Sequence, residues 1–241
     1  MNYSLTQFKE NILEIREFRD EISIFDDRWH AGEILAKVLS KILVDEPKLI
    51  TLAIPAGGVP IGIQIAKSLN TPLDLIIVRK MPIPTDPEAG FGALAPDGTM
   101  FLNKTLLEFI NLADNEIELI KEKVLEIIKR RNILFRRNRK YPDLKNTTII
   151  LTDDGLASGY TMRAAIHWAK KHNPKKVIVA VPTSPINTAL EISTMVNLVV
   201  VLNLRESFYF AVADAYKKWY DISDEEIILM LNEFGYYKKE E

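Results

Sequence analysis

The chain has 241 residues, of which 47% are hydrophobic and 27% charged, with a formal net charge of −2 and a pI near 6.0. These values predict one globular domain over residues 1–241 and argue against a dedicated nucleic-acid binder, which is usually basic. The chain has no cysteine for disulfides or thiolate chemistry, and without a signal segment or a bilayer-length apolar run we expect a cytoplasmic protein with no membrane partner.

Helical and strand patterns alternate along the chain. The first helix is predicted from Asp27 to Leu43. Short runs rich in Ile, Val and Leu predict buried parallel strands at Leu49–Ile54, Leu73–Val78, Thr148–Leu151, Val177–Val181 and Leu198–Leu202. Apolar residues at helical spacing predict helices at Ile61–Leu69, Asp114–Arg139, Thr161–Lys171 and Ile186–Met195, and Ser223 with Glu226 predicts a C-terminal helix start. We therefore expect an α/β fold, doubly wound, with a mainly parallel sheet and helices on both faces.

One segment, from about Met81 to Leu102, lacks both patterns. It carries four prolines and three glycines, and it lies between the second predicted strand and the long helix that begins at Asp114. We interpret it as a long loop, and a loop of this length in a compact domain is more often functional than idle.

The run from Ile149 to Thr161 carries the chemistry. A buried strand ends in Asp153 and Asp154, and a loop of small residues then leads into a helix. Ligands of open parallel sheets bind outside the carboxyl ends of the strands, and amides at a helix start bind phosphate. The two carboxylates can accept hydrogen bonds from a vicinal diol or meet a metal ion through water. Phosphate beside a diol is the shape of ribose 5-phosphate; the plainer alternative is an acidic turn followed by a helix cap.

The complete run, with Ser-Gly-x-Thr at the helix entry, resembles the signature by which type I phosphoribosyltransferases bind 5-phosphoribosyl-1-pyrophosphate (PRPP). Further stretches resemble a subgroup of stand-alone phosphoribosyltransferases of unassigned substrate, and the similarity extends from about Phe25 to Leu231. These stretches, in chain order, are residues 27–32, 54–60, 78–80, 88–93, 181–182 and 222–226.

The resemblance implies a role for each matching residue. Asp153 and Asp154 would hold the ribose hydroxyls directly or through Mg²⁺. The 5-phosphate would be bound by Gly155, Leu156, Ala157, Ser158, Gly159, Tyr160 and Thr161, and the pyrophosphate by Ala56, Gly57 and Gly58 together with Arg79 and Lys80, which are catalytic candidates with the two aspartates. Related sequences often carry a basic residue where this chain has Ala56. In the hypoxanthine-guanine branch an aspartate stands where this chain has Ala157, so a 6-oxopurine acceptor is disfavoured.

The resemblance also implies moving parts. Residues 81–102, with Glu88, Gly90 and Gly92, would form a mobile lid that excludes water from PRPP. The terminal regions, with Phe208–Phe210, would form a small hood for the acceptor. We expect a homo-oligomer, with a dimer as the simplest form.

The expected function is transfer of the phosphoribosyl group from PRPP to a nitrogen of a nucleobase or related small-molecule acceptor, with Mg²⁺ as the cofactor. One alternative is a regulatory protein that senses PRPP without transferase activity. It is favoured by the basic run Lys129–Lys140, which can bind a polyanion but which we interpret as a solvated helix end. Another alternative is a hydrolase that uses water as acceptor, which the predicted lid argues against.

Overall fold

The computed structural model describes residues 4–207 and 209–238, with only the backbone described at residues 87 and 88. The strands are β1 (Leu5–Lys9), β2 (Ile12–Ile15), β3 (Leu49–Ala53), β4 (Leu73–Leu75), β5 (Arg79–Ile83), β6 (Asp86–Leu94), β7 (Met100–Leu102), β8 (Thr148–Thr152), β9 (Lys176–Pro185) and β10 (Leu198–Arg205). The helices are α1 (Arg28–Ile42), α2 (Gly58–Leu69), α3 (Lys104–Ile110), α4 (Asp114–Arg136), α5 (Tyr160–Lys170), α6 (Ile186–Ser193) and α7 (Asp224–Phe234).

The main sheet has seven strands in the order β1-β2-β10-β9-β8-β3-β4. Only the β1–β2 pair is antiparallel, so the prediction of a mainly parallel sheet is confirmed. All five predicted strands are present, although β4 ends at Leu75, and β9 and β10 continue further than predicted. Their extensions carry polar residues, and the buried hydroxyl of Thr183 donates to Oδ1 of Asn203 over 2.7 Å. Such paired polar groups leave no apolar signal in the sequence.

Helices cover both faces of this sheet, as predicted. Helices α1 and α2 pack on one face, where the shared core includes Leu35, Ile65 and Ile150. Helices α5 and α6 pack on the other, where Ile166, Ile192 and Leu151 are buried together. Helix α2 begins at Gly58 rather than at the predicted Ile61, because Pro60 lies in the first turn, where a missing N–H costs no helical hydrogen bond.

The strand order reverses direction between β3 and β8. From β3 the chain crosses through α2 to β4 on one side, and from β8 it crosses through α5 to β9 on the other. The loops that follow β3 and β8 therefore leave the same edge of the sheet and diverge, which opens a crevice between them. In open α/β sheets this switch point is where ligands bind.

The segment predicted as a long loop, residues 81–102, is instead mostly a second sheet. Strands β5, β6 and β7 pair antiparallel, and the side chains of Phe91 and Leu94 are fully buried against α4 and α7. The prediction was wrong because prolines and glycines were read as loop formers. Gly90 and Gly92 lie in β6, where a β-carbon would overlap the stem of Lys80 or the backbone of β7.

Only part of the terminal regions lies near the carboxyl edge of the sheet, where a hood would be needed. Strands β1 and β2 instead extend the main sheet beside β10. A short 3-10 helix at Val212–Ala215 and the segment that follows it lie at the carboxyl edge of the sheet, and Phe25 forms a bridge with Tyr216. Of the predicted aromatic run Phe208–Phe210, Phe208 lies outside the described residues and Tyr209 is 83% exposed. No helix among the described residues is both long enough and apolar enough to cross a bilayer.

The basic run at the end of α4 is mostly exposed, as expected for a solvated helix end, but one of its residues has a structural role. Arg136 is fully buried and donates from Nε and Nη2 to the two carboxylate oxygens of Asp74 in β4, over 2.8 and 2.7 Å. The hydroxyl of Tyr236 donates to the same carboxylate over 2.5 Å, and Arg139 stacks on the Tyr236 ring at 4.6 Å. Arg136 thus ties α4 and the C-terminal segment to the edge of the main sheet.

We expect Asp74→Ala to lower the free energy of unfolding by about 3–5 kcal/mol, because it leaves the Arg136 guanidinium buried without its counter-charge. Chemical denaturation of the variant and the parent measures the change. Glu33→Ala is the control, since it removes the exposed Glu33–Lys37 pair of α1 and should cost less than about 1 kcal/mol. Equal losses in the two variants would contradict the structural role given to Asp74.

Candidate active site

The two loops at the switch point touch each other. The amide of Ile54, at the end of β3, donates to the carbonyl of Thr152 at the end of β8 over 2.9 Å. A β-carbon at Gly57 would overlap the carboxylate of Asp154, and one at Gly58 would lie 2.8 Å from the Thr152 carbonyl oxygen. Glycine at these positions is therefore required by the close approach of the two loops. The peptide bond between Pro55 and Ala56 is cis.

Asp154 is held by Arg28 at its carboxylate and by Tyr216 at its backbone carbonyl. Nε of Arg28, at the start of α1, donates to Oδ2 of Asp154 over 2.8 Å, and the same guanidinium donates to the carbonyl of Tyr220 over 2.9 Å. The hydroxyl of Tyr216 donates to the backbone carbonyl of Asp154 over 2.6 Å. Arg28 also lies 3.8 Å from the centre of the Trp219 ring. Residues from both ends of the chain thus fix one carboxylate at the edge of the sheet.

The two carboxylates of the acidic pair differ in how well their charges are compensated. Burial and the neighbouring charge of Asp154 raise the pKa of Asp153 well above its ordinary value, although its carboxylate accepts a hydrogen bond from the Asp154 amide over 2.9 Å. Burial also raises the pKa of Asp154, and the ion pair with Arg28 opposes that rise. The site therefore favours a ligand that brings hydrogen-bond donors or positive charge to Asp153.

The loop after β8 presents free amides at the start of α5. The N–H groups of residues 157–161 donate to no other described residue, and Gly159 caps the helix with φ of 73°, in the left-handed region that suits glycine. Such a helix start binds anions. The amide of Leu156 does not contribute, because it donates to the Thr183 carbonyl over 2.9 Å while its side chain is buried.

The side chains of this loop differ in whether they face the cleft. Thr161 lines the cleft above the acidic pair, and Ala157 and Ser158 are exposed. Tyr160 turns away, since its hydroxyl accepts a hydrogen bond from Nδ2 of Asn103 over 2.6 Å and its ring lies 5.6 Å from that of Phe101. Only the backbone of Tyr160 therefore remains for a ligand, and its side chain holds the small sheet against α5.

A cleft of about 980 Å³ runs from the acidic pair along β5 and α4. Its walls bring together the four predicted catalytic residues and three of the predicted PRPP-binding loop residues: Arg79, Lys80, Asp153, Asp154, Ala56, Gly57 and Thr161. Of the predicted lid, Pro82, Ile83 and Pro84 line the cleft, whereas the side chain of Glu88 lies outside the description. The sequence prediction missed the wall formed by α4, including Glu116, Leu119 and Lys123.

The residues at this site supply only some of the oxygen ligands that a hard cation such as Mg²⁺ requires. Asp153 and Asp154 supply carboxylate oxygens, but among the described residues no group of three or more His, Asp or Glu side chains is placed to hold a metal. Mg²⁺ keeps several waters and commonly takes its remaining ligands from substrate phosphates. The residues present therefore fit an ion that arrives with a phosphorylated ligand.

A family model described as the phosphoribosyl transferase domain matches residues 27–216. Two curated relatives from Mycobacterium tuberculosis, both provisionally named phosphoribosyl transferases, are 34% identical to the chain over 211 residues. The matched region is 88% of this chain and 47% of each relative, so the chain spans about half the length of the curated relatives it matches.

Two solved structures share the fold of this chain. The protein TT1426 from Thermus thermophilus has a TM-score of 0.71 and 29% identity, with 87% of this chain and 98% of that chain covered. Adenine phosphoribosyl transferase from Trypanosoma brucei, in complex with AMP, pyrophosphate and ribose-5-phosphate, has a TM-score of 0.52 and 12% identity, with 91% and 92% covered. At that identity the second likeness shows the shared fold alone.

We expect Asp153→Asn to raise the free energy of unfolding at pH 8 by on the order of 1 kcal/mol, the ordinary size of a single-residue effect. The folded-state pKa of Asp153 is raised, so the native protein keeps this carboxyl protonated at pH values where the unfolded chain has already released the proton. Stability therefore falls as the pH rises from about 4, the ordinary pKa of an aspartate, through the folded-state pKa. Asparagine removes this loss, so the gain should shrink as the pH is lowered to 4. Denaturation of parent and variant at several pH values measures it.

Asp45→Asn is the matched control for this titration, because it replaces an exposed carboxylate in the connection between α1 and β3. A gain that is equal at pH 4 and pH 8, or a gain of the same size in Asp45→Asn, would contradict the role assigned to burial and to Asp154.

Proposed function

Because the chain belongs to the phosphoribosyl transferase family, we propose that it transfers the 5-phosphoribosyl group of PRPP to a nitrogen of a small-molecule acceptor and releases pyrophosphate. The observation that carries this proposal is the meeting of three features at one crevice. An acidic pair, a helix start with free amides and a glycine loop lie side by side at the switch point between β3 and β8.

Each part of PRPP has a matching group. The amides of residues 157–161 and the hydroxyls of Ser158 and Thr161 bind the 5-phosphate. Asp153 and Asp154 accept hydrogen bonds from the ribose hydroxyls, which relieves the repulsion between the two carboxylates. The backbone of residues 56–58 receives the pyrophosphate, with Arg79 and Lys80 at the wall of the same cleft. Ala56 supplies no charge there, so neutralisation falls to the two cations of β5.

The reaction forms one bond and breaks one. The lone pair of the acceptor nitrogen forms a bond to C1 of the ribose, and the bond from C1 to the pyrophosphate oxygen breaks, with its electron pair leaving on pyrophosphate. Any proton on the attacking nitrogen passes to solvent. Arg79 and Lys80 stabilise the negative charge that develops on the leaving group, and the loops supply positioning. No activated side-chain nucleophile is needed.

When bound with PRPP, Mg²⁺ supplies further charge neutralisation at the pyrophosphate. Within this chain, Asp153 and Asp154 are the residues that would hold the ion, through water or through the ribose hydroxyls. We expect a homodimer in the cytoplasm.

The end of the β5–β6 hairpin, residues 83–89, acts as the lid. Ile83 and Pro84 border the cleft, whereas the part of β6 that follows Gly90 is packed in the core.

The alternative of a PRPP-sensing regulator rests on the basic run at the end of α4, and two of its seven cations are paired within the protein. Arg131 pairs with Asp224, and Arg136 pairs with Asp74. Arg137 and Arg139 stack on tyrosine rings, which does not neutralise their charge, and they remain exposed together with Lys129, Arg130 and Lys140. Transfer chemistry remains the function that the crevice supports best.

The test is a pyrophosphate-release assay with Mg²⁺, PRPP and a panel of nitrogen heterocycles. We expect release that depends on one acceptor or one class of acceptor. The double variant Asp153→Asn with Asp154→Asn should weaken PRPP binding at least about tenfold, because each lost carboxylate hydrogen bond is worth roughly 1.5–3 kcal/mol. Isothermal titration with PRPP and Mg²⁺ measures the binding.

Asp45→Asn is the matched control, because it makes the same change at an exposed position in the connection between α1 and β3, outside the cleft. It should bind PRPP like the parent. Unchanged PRPP affinity in the double aspartate variant would refute the assignment of the acidic pair. PRPP binding with no release for any acceptor would refute transfer and favour sensing, and release that needs only water would identify a hydrolase.

A further inference from the structure

A second, smaller cleft of about 430 Å³ lies beside the first. The two clefts share Ala56, Gly57, Arg79 and Asp154, so they meet at the loop crevice. The smaller cleft is otherwise walled by the C-terminal segment that follows the 3-10 helix and by one turn of α4. A molecule bound in it would face the residues proposed to hold the ribose and pyrophosphate.

Two guanidinium groups line this smaller cleft without full neutralisation. Arg79 is partly buried and makes no ion pair within the part of the chain that the structure describes. Burial and the neighbouring charges of Arg131 and Arg130 lower the pKa of Arg79, and the charge of Asp224 opposes this shift. Arg131 has one contact to a carboxylate, at 3.2 Å from Oδ1 of Asp224. Its remaining N–H groups are left for another acceptor.

The cleft also offers an aromatic wall. Trp219 is 38% exposed and lines the cleft, and its ring is fixed by Arg28 at 3.8 Å and by the Tyr216 ring at 5.3 Å. A ring held in this way loses little freedom when a planar ligand stacks on it. Stacking of this kind tolerates different substituents on the ligand, because every heterocycle presents a π-face.

We propose that the smaller cleft is the acceptor subsite and that it selects a planar nitrogen heterocycle bearing a carboxylate, stacked beside Trp219 with its carboxylate on Arg131, while Arg79 at the junction of the two clefts serves the pyrophosphate. This inference rests on the proposed transfer function for the attack on C1, but the binding preference does not. Guanidinium groups recognise carboxylates through paired, charge-assisted hydrogen bonds, so the acid is distinguished from its neutral counterpart.

Two carboxylates of the protein, Asp154 and Asp221, line the same cleft without cancelling this preference. Asp154 is compensated by its ion pair with Arg28. Asp221 is exposed, and water and salt screen an exposed charge far more than a partly buried one. It lies on the segment that carries Trp219, so it is placed to accept a hydrogen bond from a ring N–H of the ligand. The partly buried Arg131 remains the charge that the carboxylate of the ligand meets.

The test is equilibrium dialysis of matched acid and neutral probes: orotate against uracil, and nicotinate against nicotinamide. Each is measured with the full chain alone and with ribose 5-phosphate and pyrophosphate, which occupy the PRPP site but cannot react. In at least one pair we expect the acid to bind at least about tenfold more tightly. Arg131→Gln should reduce that preference by about tenfold, and Trp219→Leu should weaken both members of the pair alike.

Arg130→Gln is the matched control, since it removes the same charge from an exposed neighbouring position that does not line the cleft. It should keep the preference, and both Arg130→Gln and Arg131→Gln should bind PRPP like the parent. The inference is overturned if neither acid is preferred tenfold, or if Arg130→Gln lowers the preference as much as Arg131→Gln. Failure of the parent protein to bind PRPP would instead overturn the proposed function, whichever probe is preferred.

Discussion

The contact between the loops that follow β3 and β8 is the constraint on which the rest of the site depends. The two strands are neighbours, and their crossovers leave in opposite directions, so the loops must begin together and separate within a few residues. Asp154 lies against Gly57 with no space for a β-carbon between them. One loop therefore cannot move without the other, and groups proposed for opposite ends of PRPP keep a fixed separation before any ligand arrives. This is the positioning on which transfer without a covalent intermediate depends.

Holding two adjacent carboxylates in that contact is costly, and the surrounding structure limits the cost. Removing either charge from water is unfavourable, and each carboxylate disfavours the other. Arg28 supplies the counter-charge from α1, while Tyr216 holds the backbone beneath Asp154. Asp153 has no comparable cationic partner among the described residues. Arg28 therefore compensates the charge of Asp154, whereas stabilising the charge of Asp153 is left to a ligand.

How far the sequence could predict this arrangement depends on the range of the interactions. The strand, acidic pair, loop and helix of residues 148–170 are contiguous, and local pattern was sufficient for them. Arg28 lies 126 residues from Asp154 in the chain, so its ion pair carries no local signal, although it stands in a stretch that resembles the family. The second sheet was missed for a different reason, because β5 and β6 contain Pro82, Gly90 and Gly92, which pattern assigns to loops.

Long-range packing also explains why the cleft proposed for the acceptor was the hardest part of the site to predict from the sequence. The smaller cleft is assembled from α1, β5, α4 and the segment after the 3-10 helix, and no two of its charged residues are neighbours in the sequence. The role of the basic run on α4 likewise depends on position, because Arg136 and Arg139 contact Asp74 and Tyr236, whereas Arg131 lines the smaller cleft. The proposed acceptor site therefore depends on how distant parts of the chain pack together, while the proposed PRPP site depends on two loops of the central sheet.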